Sequence, residues 1–292
     1  NYDVLVDSPL VAGNPAVYEF TVNGTPHALV NIGEAGVFDG AKAARDLERI
    51  VAEHGRFWGG FPYEHYYFFN LITEAGGGLE HASSEVQMTS RWATRTPQAY
   101  RKWLELSSHE HFHAWNVKRL RPVELGPFDY ERENPTRSLW VVEGITDYYG
   151  DLSVHRAGLA DQKAYFEDLS GSIKTLQTTG GRLVQPLTLA SYDAWIRYYR
   201  PDENSGNVAI SYYTKGYIVA WLLDARIREV TGGDRSLDDV MRLAFQRYSG
   251  ARGYTLEQFH AVVEEVAGRA LPDVWAQAIF GTAELDYAPV LA

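Results

Sequence analysis

The sequence predicts an α+β chain, with a β-containing N-terminal lobe over residues 1 to 96 and an all-helical lobe over residues 97 to 292. Two features carry this. Short aromatic and β-branched runs broken by Gly and Pro fill the first third, and from Pro97 onward apolar residues recur at helical spacing instead. A composition of 45% hydrophobic and 13% aromatic residues over 292 positions supplies enough apolar surface for a large core.

Taken in order, residues 1 to 38 hold three β-like runs, YDVLVD, AVYEFTV and HALVNI. Residues 39 to 59 open on an Asp and keep apolar positions on one face, which predicts a capped helix. YEHYYFFNLITE (63 to 74) reads as a strand, the glycine triplet after it as a turn, and LEHASSEVQMTS as a second strand. Helices are expected over 97 to 118, 136 to 157, 161 to 178, 207 to 231, 236 to 248, 255 to 267 and 272 to 280, with loops at 121 to 135 and 180 to 206. The active site is expected between the two lobes, where clefts often bind ligands.

Charge and composition remove whole classes of function. With 27 Lys and Arg against 38 Asp and Glu, the net charge of −11 has the wrong sign for a general binder of nucleic acid or anionic membrane. The absence of cysteine rules out disulfides, thiolate metal sites and a cysteine nucleophile, so a metal here must sit on His, Asp or Glu. No apolar run approaches the roughly 20 residues of a membrane span, and no signal-peptide pattern stands at the start. The chain begins at Asn1 without Met, which suggests an excised or processed piece. The compartment is left open between cytoplasm and periplasm.

The densest chemistry lies in LELSSHEHFHAWNVKRLRP, residues 104 to 122. His109, Glu110 and His113 spell H-E-x-x-H, which on a helix sends two imidazoles from one face about a turn apart with a carboxylate beside them. Neutral imidazole favours Zn2+, one ion. His111 points off that face and is expected to be a packing or solvent-facing residue. A catalytic zinc needs a third protein ligand and an open position. Glu143, in the apolar stretch SLWVVEGITDYYGDL, supplies the ligand, and Asp147 four residues on can accept the free N–H of one imidazole. The basic run NVKRLRP (116 to 122) reads as a helix end whose cations suit the dipole.

HEHFHAWNVKRLRP and LWVVEGITDYYGDL resemble the glycyl aminopeptidase family of zinc peptidases, gluzincins with a thermolysin-like catalytic domain related to aminopeptidase N and leukotriene hydrolase. The opening YDVLVDSPL and the later SYYTKG (211 to 216) are similar to family segments as well. The resemblance implies a thermolysin-like zincin fold and a zinc aminopeptidase acting on peptides with a free N-terminus, with a small first residue, Gly or Ala, preferred. It makes Glu110 the general base. It also makes GGLEH (77 to 81), with Gly78 and Glu80, the segment that holds the substrate and its α-ammonium, and Tyr213 the donor to the developing oxyanion. Family members carry a β-rich domain before this region and often a PDZ domain after it, with which this portion would make contact; neither is visible in the sequence. His111 stands where the family pattern leads one to expect an aromatic or apolar residue. The alternatives are a thermolysin-type endopeptidase, which would not need Glu80, a non-catalytic peptide-binding scaffold, and an epoxide hydrolase for which no residue argues.

Overall fold

The structure is a computed structural model that describes residues 1–33 and 36–291. Its order opens with α1 (Tyr2–Val6), β1 (Ala16–Val22), β2 (Thr25–Gly33), α2 (Gly40–Trp58), β3 (Tyr66–Ile72), β4 (Gly77–Glu80), β5 (Ser84–Thr89) and α3 (Pro97–Phe112). It continues with α4 (Ile145–Arg156), α5 (Gln162–Thr178), α6 (Leu187–Tyr192), α7 (Ser205–Val208), α8 (Tyr212–Val230), α9 (Leu237–Tyr248) and α10 (Leu256–Ala267). The mixed α+β class is as the sequence predicts. Among the described residues no helix is long and apolar enough to cross a membrane.

Two compact units divide the chain. The first holds Asn1–Lys118 with Tyr149–Tyr165, and the second Arg119–Tyr148 with Phe166–Ala292. This boundary differs from the division at residue 96. Helix α3 packs on β4, β5 and α2, so it belongs with the sheet.

In the first unit the five strands run in the order β1-β2-β3-β5-β4. The outer pairs, β1 with β2 and β4 with β5, are antiparallel, and β3 is parallel to both neighbours. Strand β4 is therefore an edge. The one strand expected over LEHASSEVQMTS is in fact the end of β4, a turn and β5. YDVLV, expected as β, is the helical turn α1: the Asn1 side chain accepts from the Val4 N–H, and no buried residue on the segment draws it into a sheet. Its β-branched residues favour strands only where a neighbour strand packs against them. Helix α2 begins at the Asp39 cap and ends at Gly59, whose φ of 78° suits glycine.

Helix α3 starts on a Thr96 cap with Pro97 in its first turn and ends at Phe112, six residues short of the expected 118. A row of side-chain contacts fastens it down. Trp103 Nε1 donates to Asn70 Oδ1 at 3.1 Å, Gln87 Nε2 donates to Ser107 Oγ at 2.7 Å, and the Tyr66 hydroxyl reaches the Glu110 carbonyl at 3.4 Å.

His111, expected to be a packing or solvent-facing residue, is the first of these and is wholly buried. Its Nδ1 lies 2.8 Å from His54 Nδ1 and its Nε2 lies 2.5 Å from the Tyr63 hydroxyl, which lies 3.2 Å from His27 Nε2. The tautomers follow from the ends. His27 Nδ1 must donate to the Thr25 carbonyl at 2.9 Å, so its Nε2 accepts from Tyr63. Tyr63 then accepts from His111 Nε2–H, and His111 Nδ1 accepts from His54 Nδ1–H. His54 Nε2 is left to accept from Ser108 Oγ at 3.4 Å. Every imidazole is neutral in this chain, and burial enforces it, lowering His54 to about 3 and His27 to about 4.

The second unit is helical. Trp140 sits at its centre against Phe259 and Trp275, with ring centroids 6.2 and 6.0 Å away. Asp224 ties three elements together, accepting from the Leu237 N–H at the start of α9 and from the Tyr148 hydroxyl in α4. The expected loop at 180 to 206 is instead a series of short helical turns, among them Gly180–Leu183, α6 and Ala194–Tyr198. Pro186 opens α6 as its N-cap, so the residue that reads as a breaker here starts a helix.

Because His27 and His54 resist protonation when folded, the unfolded chain takes up protons below pH 6.5 that the folded chain refuses. Stability is therefore full above that pH and falls as the pH drops toward 4. With His111, which burial also holds well below its ordinary value, the three groups contribute a slope of up to about 4 kcal/mol per pH unit. Urea unfolding between pH 7.5 and 4.5 checks this: His54→Gln should lose about a third of the slope, and an unchanged slope would contradict the neutral chain.

Candidate metal centre and substrate-binding residues

On α3 of the first unit, His109 and His113 are buried one turn apart, and their ε-nitrogens lie 2.9 Å from each other. His113 is the C-cap of the helix. The chain turns back beneath its ring, so that Nδ1 donates to the Asn116 carbonyl at 2.6 Å. That bond fixes the tautomer and leaves the Nε2 lone pair facing His109. Two imidazole nitrogens in this arrangement fit a borderline divalent cation such as zinc, which accepts both lone pairs.

Glu110 is buried between the two histidines in sequence, against β4. A Cβ at Gly78 would stand 2.1 Å from Glu110 Oε1, so the glycine makes room for the carboxylate. Acceptor atoms of Glu80, Glu110 and His113 lie within 4.8 Å of one another. The first unit thus brings Gly78, Glu80, Glu110, His109 and His113 together.

Two further carboxylates stand here that the sequence reading passed over. Asp7, just past α1, accepts from the Ala82 N–H at 2.8 Å and from Lys118 Nζ at 2.6 Å, with His81 Nδ1 at 3.4 Å. Burial opposes the charge, but the bonds from His81, Lys118 and Ala82 overrule it and hold Asp7 at about 2. The turn that follows Glu80 is thereby clamped to the end of α3. Lys118, read as a cation suited to a helix dipole, serves this clamp. The second is Glu85, opposite Glu80 in the β4–β5 register, so both project from one face. Glu85 is fully buried and has no hydrogen-bond partner among the described residues. Burial and the charge of Glu110 raise its pKa well above the usual carboxylate range, against a smaller pull from His109.

In the second unit Glu143 sits in a π-helical turn, Trp140–Gly144, that leads into α4. Such turns insert an extra residue into a helix and often mark functional sites, and no residue pattern in SLWVVEGITDYYGDL announces one. Gly144 packs on the first turn of α8, where an added Cβ would stand 2.4 Å from Gly216 Cα. This backbone contact brings Glu143 beside Tyr213. Burial, then the charge of Glu143, push the Tyr213 phenol far above its ordinary range, so it stays an O–H donor. Glu143 and Asp147 both act on Tyr198, as two carboxylates on one side of a helix would.

The fold is one shared with solved aminopeptidase N family and M1 zinc metallopeptidase structures. More particularly, residues 102–219 match the M61 glycyl aminopeptidase family model, in line with the resemblance drawn from the sequence. The chain is similar to an aminopeptidase N family protein from Idiomarina loihiensis, with a TM-score of 0.96 and 29% identity over 100% of this chain and 51% of that one. It also shares its fold with an M1 zinc metallopeptidase variant from Deinococcus radiodurans, at a TM-score of 0.59 and 13% identity, covering 94% of this chain and 53% of that one. A two-domain M1 zinc metallopeptidase bound to L-arginine gives a TM-score of 0.57 and 11% identity, covering 94% of this chain and 52% of that one. The chain spans about half the length of these relatives. No curated protein matches it in sequence.

The atoms nearest a methyl group at residue 78 belong to the Glu110 side chain, at 2.1 to 2.7 Å, and not to backbone. Gly78→Ala should therefore fold normally while displacing the carboxylate, lowering kcat on a peptide substrate by roughly 10- to 100-fold. Steady-state kinetics beside a thermal melt check this, and an unchanged kcat would show that Glu110 is not held by the edge strand.

Proposed function

We propose that this chain is the catalytic portion of a zinc aminopeptidase that removes the first residue of peptides, with small residues, Gly or Ala, preferred. The observation that carries the reading is the His109–His113 pair, its ε-nitrogens 2.9 Å apart, with the His113 tautomer fixed by the Nδ1–H bond to the Asn116 carbonyl so that Nε2 keeps its lone pair. His109, His113 and Glu143 would hold the single ion. Asp147 would orient His109, since His113 already has its carbonyl. When bound, zinc supplies Lewis acidity and makes water easier to deprotonate.

The chain's own residues do the rest. Glu110, buried and beside the ligands in sequence, takes a proton from the attacking water and returns it to the leaving amine. Tyr213, kept neutral by burial and by Glu143, donates to the carbonyl oxygen as negative charge builds there. Edge strand β4 offers its backbone to an extended peptide, and Glu80 at its end receives the α-ammonium. Asp7 holds the turn after Glu80 in place.

Glu110→Gln should bind zinc as the wild type does while losing roughly 10²- to 10⁴-fold in kcat. Metal analysis alongside turnover of Gly- and Ala-amides checks this, and wild-type turnover would remove Glu110 as the base. Peptide affinity that survives chelation, with no turnover in any variant, would favour a binding scaffold.

Glu80→Ala separates the two peptidase readings. An aminopeptidase should lose its preference for free over N-acetylated substrates in this variant. An endopeptidase would cleave blocked peptides equally well before and after the substitution.

A further inference from the structure

A cluster of phenols surrounds Tyr213, and the mechanism uses only one of them. Tyr199, which caps the π-helical turn Ala194–Tyr198, places its hydroxyl 3.3 Å from that of Tyr213 and 3.2 Å from that of Tyr212. The rings pack as one body. Tyr212 stacks on Tyr213 with centroids 4.7 Å apart, and Tyr198 lies against both at 5.2 and 5.8 Å. The buried Tyr212 directs its O–H to the Tyr199 oxygen.

The direction of the chain follows from what a phenol can do. Each oxygen has one proton to give and lone pairs to receive. Either hydroxyl of the Tyr199–Tyr213 pair can donate, but once the Tyr213 O–H is committed to an oxyanion, Tyr199 is left as the donor between them. Tyr213 then accepts that bond, and its own O–H is turned away from Tyr199. A hydroxyl that accepts a hydrogen bond is also polarised to donate a stronger one.

We propose that Tyr199 is a positioning residue, passing a hydrogen bond from Tyr212 into Tyr213 so that the Tyr213 O–H is aimed at the oxyanion and strengthened as a donor. This rests on the reading of Tyr213 as the oxyanion donor. The neighbours on α8 and on the 194–198 turn thus act as an extension of the site. The tyrosine pair in SYYTKG acquires a division of labour: Tyr213 touches the substrate, and Tyr212 feeds it through Tyr199.

A double-mutant cycle tests this, because a Phe at 199 keeps the ring packing and removes only the hydroxyl. Tyr213→Phe should lower kcat by roughly 10²- to 10³-fold, and Tyr199→Phe by about 3- to 10-fold, given cooperative strengthening of about 10–30% per bond. KM and melting temperature should stay near wild type in Tyr199→Phe. The inhibition constant of a phosphinic pseudodipeptide, whose tetrahedral oxygens imitate the oxyanion, should rise by the same factor as kcat falls. In the Tyr213→Phe background, Tyr199→Phe should add nothing. If Tyr213→Phe is crippled while Tyr199→Phe is silent, or its loss is additive, the relay is wrong. If Tyr213→Phe retains wild-type turnover, the donor assignment itself falls.

Discussion

Helix α3 buries polar side chains all round its last turn, and the arrangement of the first unit follows from how these groups are met. Ser107, Ser108, His109, Glu110, His111 and His113 are all removed from water, where unpaired polar groups are costly. An apolar partner surface would leave them stranded. The sheet and α2 therefore answer with polar side chains of their own, Asn70, Gln87, Tyr66 and His54, each aimed at a particular group on α3. The helix is consequently fixed in rotation as well as in position. That matters because a turn of a few tens of degrees would carry the 109/113 pair off its mark.

His111 shows the same logic from the other side of the helix. A neutral imidazole can be buried without charge if one nitrogen donates and the other accepts, and the Thr25 carbonyl at one end sets the direction for the whole chain. Asn116 does this for His113. Neither partner competes for the ε-nitrogens of His109 and His113 that face each other. The buried His111 and the 109/113 pair are thus kept apart on one short helix by which ring nitrogen is already committed.

Much of this was legible beforehand, and the parts that were not have identifiable causes. H-E-x-x-H is a local pattern at helical spacing, so the pairing of His109 with His113 needs only the helix to form. GGLEH and SYYTKG were readable only through family likeness, since a Glu after a glycine turn or one tyrosine among 19 carries no signal by itself. The contacts of Asp7 with Ala82 and Lys118 span 75 and 111 residues, beyond the reach of any local pattern. The choice for His111 between packing and solvent was not legible because its partners, His54 and Tyr63, come from separate segments. The π turn at Glu143 depends on the close approach of Gly144 to Gly216 on a later helix, which the local sequence does not encode.

The central claim is that two imidazoles of α3 together hold a zinc ion. X-ray absorption at the zinc edge of the metal-loaded protein addresses it most directly, because imidazole rings scatter in a way that water and carboxylates do not. The account predicts scattering from two imidazoles with the remaining positions filled by oxygen, and from one imidazole in His113→Gln. An ion surrounded by oxygen alone, or a spectrum unmoved by His113→Gln, would contradict it.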